Sequence, residues 1–204
     1  MNKKDERMGR FIILRKIKFG EADLVLHAIG ANGGKFSFLA KGALRSKKRY
    51  GGGVLEPSHF VQFVYKEAKT PGQLNVLHEA TLINGFEKIK KTYDHLELAL
   101  HVVDCVAKVS QEGDENSDFL FNLTGHTLKA VENSTKLAQL KLHFYLKLLY
   151  QQGVISTEPW MMPFLKTNLS ESESLNLDGF DIEDYLPSIE TLVHQYVRTA
   201  DAGF

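Results

Sequence analysis

The feature that most constrains this chain is a change of apolar period near residue 85. Before it, apolar residues come in short runs that alternate with polar ones. FIILRKIKF (11–19), ADLVLHAI (22–29), KFSFLAKGA (35–43), SHFVQFVYKE (58–67) and QLNVLHEATLI (73–83) each read as a strand. The link GANGGK (30–35) contains Asn32-Gly33, a strong hairpin signal because both residues tolerate positive φ. Lys69, Thr70, Pro71 and Gly72 make the turn before the fifth run. Five short strands with no helix long enough for a βαβ crossover predict a small closed barrel.

Beyond residue 85 the period becomes helical. In 86–110, Ile89, Tyr93, Leu96, Leu100, Val103 and Ala107 recur at spacings of 4, 3, 4, 3, 4, and Leu98, Val102, Val106 and Val109 widen that face. A second helix is predicted over 118–132, capped by Ser117 or Asp118 after the polar loop 111–117. A third spans 136–152, capped by Ser134 or Thr135 and ended by Gly153. Residues 154–186 lose the helical pattern, and 174–182 alternates around Asp178-Gly179 as a small hairpin would. Pro187 suits the first turn of a last helix. The fold class is therefore α+β, with a barrel domain at 1–83 and a helical bundle domain at 84–204 that carries an irregular acidic insert at 154–186.

Charge separates along the same line. The chain has 25 Lys and Arg against 25 Asp and Glu, yet residues 1–70 hold 15 basic and 6 acidic side chains, a net of +9, leaving −9 for the remainder. Such asymmetry suggests one half that meets polyanions. Its centre is the glycine-hinged stretch LAKGALRSKKRYGGGVLEP (39–57), with Lys41, Arg45, Lys47, Lys48 and Arg49 ahead of Gly51, Gly52 and Gly53. A five-stranded barrel flanked by loops suits single-stranded nucleic acid, with cations on phosphates and aromatic rings under unpaired bases. Phe36 and Phe38 share a strand face with Ala40 and read as core. Lys35 and Lys41 point the other way, and Tyr50, in the loop, is the stacking candidate. The bland reading of the same loop is a solvated one with no ligand.

Chemistry of other kinds finds little support. Gly34-Lys35 is followed by Phe36 and lies between strands, so it is no phosphate loop. The single cysteine, Cys105, allows no internal disulfide and no cysteine-rich zinc site, and it reads as a small buried hydrophobe. The eight histidines do not cluster in sequence, and neither an HExxH nor a Gly-x-Ser-x-Gly motif is present. No metal, no cofactor and no catalytic residue is expected. No run reaches the roughly 18 apolar residues of a membrane span. The start lacks the apolar core of a secretory signal, so a reducing cytoplasm is expected.

The stretch FGEADLVLHAIGANGGKFSFLAKGALRSKKRYGGGVLEP resembles the N-terminal barrel of the RecO family. Glu21-Ala22-Asp23, Gly34-Lys35, Ala40-Lys41-Gly42-Ala43 and Leu55-Glu56-Pro57 carry the likeness, which covers residues 10–83. The helical remainder is similar in order and in its ending, Leu148-Leu149 to Gly153. The resemblance implies an OB-fold followed by a helical domain. It implies a DNA repair and recombination mediator that is not an enzyme, cytoplasmic and associated with the nucleoid. Such a protein binds single- and double-stranded DNA, anneals complementary strands, engages RecR, and helps load RecA on DNA coated with single-strand binding protein (SSB). RecF is a further partner implied. DNA contacts are expected at Lys35, Lys41, Arg45, Lys47, Lys48, Arg49 and Tyr50. Some relatives carry a four-cysteine zinc finger after the long helix; this chain has no cysteine there. The resemblance also implies that the acidic tail of SSB docks on the helical domain, which calls for an apolar pocket with a basic rim. The third helix offers a polar stripe, Lys136, Gln139, His143, Lys147 and Tyr150, bordered by Leu140 and Phe144, with Lys141 on the opposite side. Lys141, His143, Phe144 and Lys147 are the expected tail contacts, and a solvated edge with a snorkelling lysine is the alternative. A second function class is a non-catalytic protein-interaction module whose barrel binds no DNA.

Overall fold

The computed structural model describes residues 6–70, 72–112 and 118–202, apart from the side chains of Lys47 and Ala202. Pro71 of the expected turn, and Ser117 as a helix cap, lie outside the described residues. The chain divides into two compact units: residues 1–86 with 110–122, and residues 87–109 with 123–204.

The first unit is a closed barrel of five strands: β1 (Glu6–Phe19), β2 (Asp23–Gly30), β3 (Lys35–Ala40), β4 (Phe60–Lys66) and β5 (Asn75–Asn84). Their order around the barrel is β1-β2-β3-β5-β4. Every pairing is antiparallel except β3 with β5, and β1 closes the barrel by pairing with β4 from Glu6↔Lys66 to Ile12↔Phe60. β1 therefore begins well before the apolar run FIIL, because a pairing partner extends a strand whatever its own polarity. Alternating inward residues fill the barrel. The Phe11 ring sits 5.1 Å from Phe38, 5.3 Å from Phe63 and 5.8 Å from Tyr65, centroid to centroid. Phe36, expected in the core, packs edge-on to Phe11 at 5.3 Å. The β2–β3 turn uses Gly33 at φ 93°.

Between β3 and β4 lies a single helical turn, α1 (Lys47–Tyr50), N-capped by Ser46, whose Oγ accepts from Arg49 N at 3.4 Å. The loop is thus locally structured, and Gly51 supplies the left-handed backbone (φ 57°) that ends the turn.

The second unit is helical. A 3₁₀ turn (Glu87–Lys91) precedes α2 (Tyr93–Val109); α3 (Phe119–Val131) and α4 (Leu137–Gln151) follow. α4 is buried on almost every side. On α2 the buried face runs through Leu98, Val102, Val103, Val106 and Val109, whereas Tyr93 and Leu100, expected on the apolar face, are exposed. Residues 154–186 contain 3₁₀ turns at Pro159–Met161 and Leu169–Ser174 and a short helix α5 (Met162–Lys166). The expected hairpin at 174–182 does not form. Asp178-Gly179 makes a turn closed by Phe180 N to Leu177 O at 2.9 Å, with no strands either side. Phe180 instead stacks on Tyr185 at 4.5 Å. The last helix, α6 (Ile182–Ala202), starts five residues before Pro187 and so holds that proline inside it. Asp181 Oδ1 accepts from Glu183 N at 3.0 Å and so offers the cap that moves the helix start upstream.

Candidate nucleic-acid interface

The loop after β3 keeps part of its expected character. Lys41, Arg45 and Lys48 are exposed. Lys41, Lys48 and Arg49 line a groove of about 520 Å³ with Glu6, Val64, Val76, Leu77, His78 and Glu79. Arg45 Nη2 lies 3.5 Å from Glu21 Oε2, a long, exposed pair. The backbone of Lys47 opens α1 beside them, and its side chain is outside the described set.

Two members of the set do something else. Arg49 Nη2 donates to Lys41 O at 2.7 Å and its guanidinium lies 5.1 Å from the Tyr50 ring centre, so it ties the loop to itself. Tyr50 is 1% exposed and belongs to the barrel core, its hydroxyl donating to Leu77 O at 3.0 Å. It cannot serve as a stacking platform. Burial raises its phenol pKa, and the charge of Arg49 acts against that. The helical turn rotates Tyr50 inward, into the barrel core; reading the residue simply as part of a glycine-hinged loop hides that rotation.

Lys35 stands at the opposite end of β3 from the loop, a separation of roughly 17 Å at the rise of a strand. It lines a different, polar cavity of about 360 Å³ with Ser37, Lys69, Gln73, Asn75 and Glu112. The structure does not bring it to the loop.

The expected tail contacts on α4 are dispersed. His143 and Phe144 are both 0% exposed. His143 Nε2 contacts Thr167 O at 3.2 Å, and burial, aided by the charge of Lys147, pushes its pKa down to about 4. Lys147 Nζ donates to Leu165 O at 3.0 Å, and burial lowers its pKa. Lys141, on the other side, pairs with Glu190 at 2.5 Å, and Tyr145 Oη donates to the same carboxylate at 3.3 Å. Burial alone would raise the Glu190 pKa; the hydrogen bond and charge of Lys141 bring it below the usual range. These four residues therefore form no single pocket. The expected polar stripe instead holds the irregular segment: Lys136 and Gln139 donate to the carbonyls of Glu173 and Ser172.

A pocket of the expected character lies elsewhere on this unit. A cavity of about 390 Å³ has Leu140 and Leu169 among its lining, with His126, Lys129 and the acid Glu173, whose carboxylate accepts from Thr135 N and Lys136 N, as its ionisable contributors. Sequence reasoning missed it because its walls come from three separate stretches. It also missed Phe19, which is 58% exposed at the end of β1. The signal there was an aromatic alternating with Lys16 and Lys18 just before Gly20. Among the described residues no group of three or more His, Cys, Asp or Glu could hold a metal ion. No described helix is long and apolar enough to cross a membrane.

A closed barrel of this strand order, with its helical turn between the third and fourth strands, is an OB-fold, a class whose strand faces and loops bind oligonucleotides and oligosaccharides. Residues 7–86 match the family model described as Recombination protein O N terminal. The chain is 31% identical over 148 residues to the DNA repair protein RecO of Maridesulfovibrio salexigens, covering 72% of this chain and 59% of the relative. It is 30% identical over 146 residues to that of Rubrobacter xylanophilus, covering 71% and 56%. With the RecO of Acetivibrio thermocellus it shares 28% over 166 residues, 80% and 62%. The chain is thus similar to the RecO family, through its barrel in the family model and beyond it in the relatives, and the matches span somewhat more than half the length of these relatives.

Proposed function

We propose that this chain is a DNA repair and recombination mediator with no catalytic residue of its own. The barrel, residues 1–83, binds single- and double-stranded DNA and anneals complementary strands. With RecR, and with RecF as a further partner, it assists loading of RecA on SSB-coated DNA. The helical domain, 84–204, receives the acidic SSB tail. The observation that carries this reading is an OB-fold whose exposed loop cations, Lys41, Arg45 and Lys48, stand in the half of the chain with a net charge of +9. Cations on a mobile polyanion release counterions, which gives affinity without sequence preference. RecR, RecF and RecA enter through the likeness to the RecO family.

For the tail, the cavity of Leu140, Leu169, His126 and Lys129 supports an apolar floor with a basic contribution better than the α4 stripe does, the one acid in its lining, Glu173, being already engaged with Thr135 N and Lys136 N. Lys141, His143, Phe144 and Lys147 are engaged instead by Glu190, Thr167 O, the buried core and Leu165 O, in that order.

The test is annealing of complementary strands coated with SSB, with and without the protein, alongside a gel shift at rising salt. Acceleration of annealing and salt-sensitive binding are expected. A folded protein that neither shifts DNA nor speeds annealing would return the barrel to the class of protein-interaction modules.

A further inference from the structure

With Tyr50 buried, the basic loop has no ring of its own to offer a base. The barrel's other rings are already packed, Phe11, Phe36, Phe38, Phe63 and Tyr65 on one another and Phe60 edge-on to Phe121. Phe19 is different. The β1–β2 ladder has an irregularity between Ile13 and Arg15, and from Lys16 to Phe19 every residue of β1 is exposed. On this overhang Ile17 and Phe19 share one face by the two-residue period, with Arg15 before them. Ile17 is 48% and Phe19 58% exposed. Folding gains nothing from placing large apolar groups in water.

The overhang is tied to the basic loop. Leu44 N donates to Ala22 O at 3.0 Å, and Gly42 N donates to Asp23 Oδ1 at 2.7 Å. Phe19 pairs with Asp23 across the hairpin, so the ring stands at the turn that these bonds fasten to the head of the loop. Leu44, 51% exposed, adds a second apolar group there. The exposed cations of the two segments are Lys16, Lys18, Lys41, Arg45, Lys48 and Arg49; of these Lys16 is paired with Glu56 and Arg49 is tied to Lys41 O. The acids are Glu21, set against Arg45, and Asp23, already engaged with Gly42 N.

An apolar ring among cations fits a ligand that is anionic along its backbone and flat and apolar beside it. An unpaired nucleotide has that chemistry. A duplex carries the same phosphates but hides its base faces. Resting on the DNA-binding reading above, we propose that Phe19 is the base-stacking residue of a single-strand-selective subsite, with Lys41 and Arg45 of the fastened loop on the flanking phosphates. Stacking then adds affinity only where bases are unpaired, which lets one basic surface hold both DNA forms and prefer the single strand.

The test uses the full chain as parent, Phe19→Ala and Phe19→Trp, with fluorescence anisotropy on a labelled single strand and on its duplex, across a salt series. Phe19→Ala should weaken single-strand binding about fivefold or more. Its duplex affinity should stay within about twofold of the parent's, and its salt slope should not change, since no phosphate contact is lost. Phe19→Trp should restore single-strand affinity, and its indole emission should be quenched by the single strand and not by the duplex. If the parent binds and Phe19→Ala binds single strands as tightly, the stacking role fails while the DNA-binding reading stands. Equal losses on both DNA forms would also overturn it. Normal DNA binding by Phe19→Ala with lost RecR binding would make the exposed face a protein contact instead. A parent that shows no salt-sensitive DNA binding overturns the function and the subsite together.

Discussion

The loop at 41–50 and the α4 face at 136–147 look alike as sequence: each spaces basic side chains among apolar ones. Their fates differ. In the loop, Lys41, Arg45 and Lys48 stay exposed. On α4, Lys136, Gln139, His143 and Lys147 reach the carbonyls of Glu173, Ser172, Thr167 and Leu165 in that order. An irregular segment can be packed against a helix only if its main-chain carbonyls find donors. The stripe supplies them, one turn after another, as the segment runs antiparallel to the helix. Polarity on a helix face therefore identifies a donor row, and only the partner decides whether water or backbone receives it.

The largest effect that could break this comparison concerns Phe144. It is 0% exposed, so Phe144→Ala should destabilise the helical unit by about 3–5 kcal/mol. A urea midpoint near the parent's would put Phe144 back on a surface open to a peptide.

The pH dependence of the same face comes next. The His143 pKa is lowered from 6.5 to about 4 by burial first and Lys147 second. A depressed histidine is neutral in the fold while the unfolded chain still takes up a proton. The fold therefore has its full stability above pH 6.5 and loses it as pH falls toward 4, by at most roughly 3 kcal/mol. His101, lowered by burial and then by Lys141, adds in the same direction. Urea titrations at pH 7.5 and 4.5 should show His143→Gln losing less stability on acidification than the parent; equal losses in both would remove His143 as the cause.

Much of the fold was legible because it rests on local period. Phe36, Phe38 and Ala40 alternate and are packed inward, and Leu98, Val102, Val106 and Val109 mark the buried side of α2. What was not legible depends on partners far along the chain. Glu6 to Arg10 are strand because β4 lies beside them. Glu173, from the irregular segment, accepts from Thr135 N and Lys136 N at the start of α4 beside the expected Ser134 cap. The candidate site was legible as charge, since Lys41, Arg45 and Lys48 needed only to remain exposed. It was not legible as shape, because one turn of helix sends Tyr50 inward and a strand overhang puts Phe19 outward.

The loop cations should show an intermediate effect, in affinity and not in stability. If Lys41, Arg45 and Lys48 contact phosphates of a single strand, replacing all three by Ala should reduce the magnitude of the salt slope by about 2. The thermal midpoint should stay close to the parent's, since exposed ion pairs contribute little. A folded triple variant with the parent's slope would make this loop a solvated one, and the contrast with α4 would vanish.

Arg49 sharpens the comparison most finely, because it sits in the exposed region and behaves as the α4 stripe does. Its Nη2 is committed to Lys41 O, and its guanidinium flanks the ring of Tyr50, which lies in the barrel core. Arg49→Ala should therefore register first as stability: about 1 kcal/mol for an exposed hydrogen bond and a weak cation–π contact. Its salt slope should change by less than one phosphate's worth, unlike that of Lys48→Ala beside it. Arg49→Lys keeps the charge but lacks the planar fork that reaches a carbonyl while lying along a ring. It should match Arg49→Ala in stability and the parent in salt slope. Should Arg49→Lys instead be as stable as the parent while Arg49→Ala loses a full unit of slope, Arg49 belongs with the phosphate contacts, and the donor-row principle stops at α4.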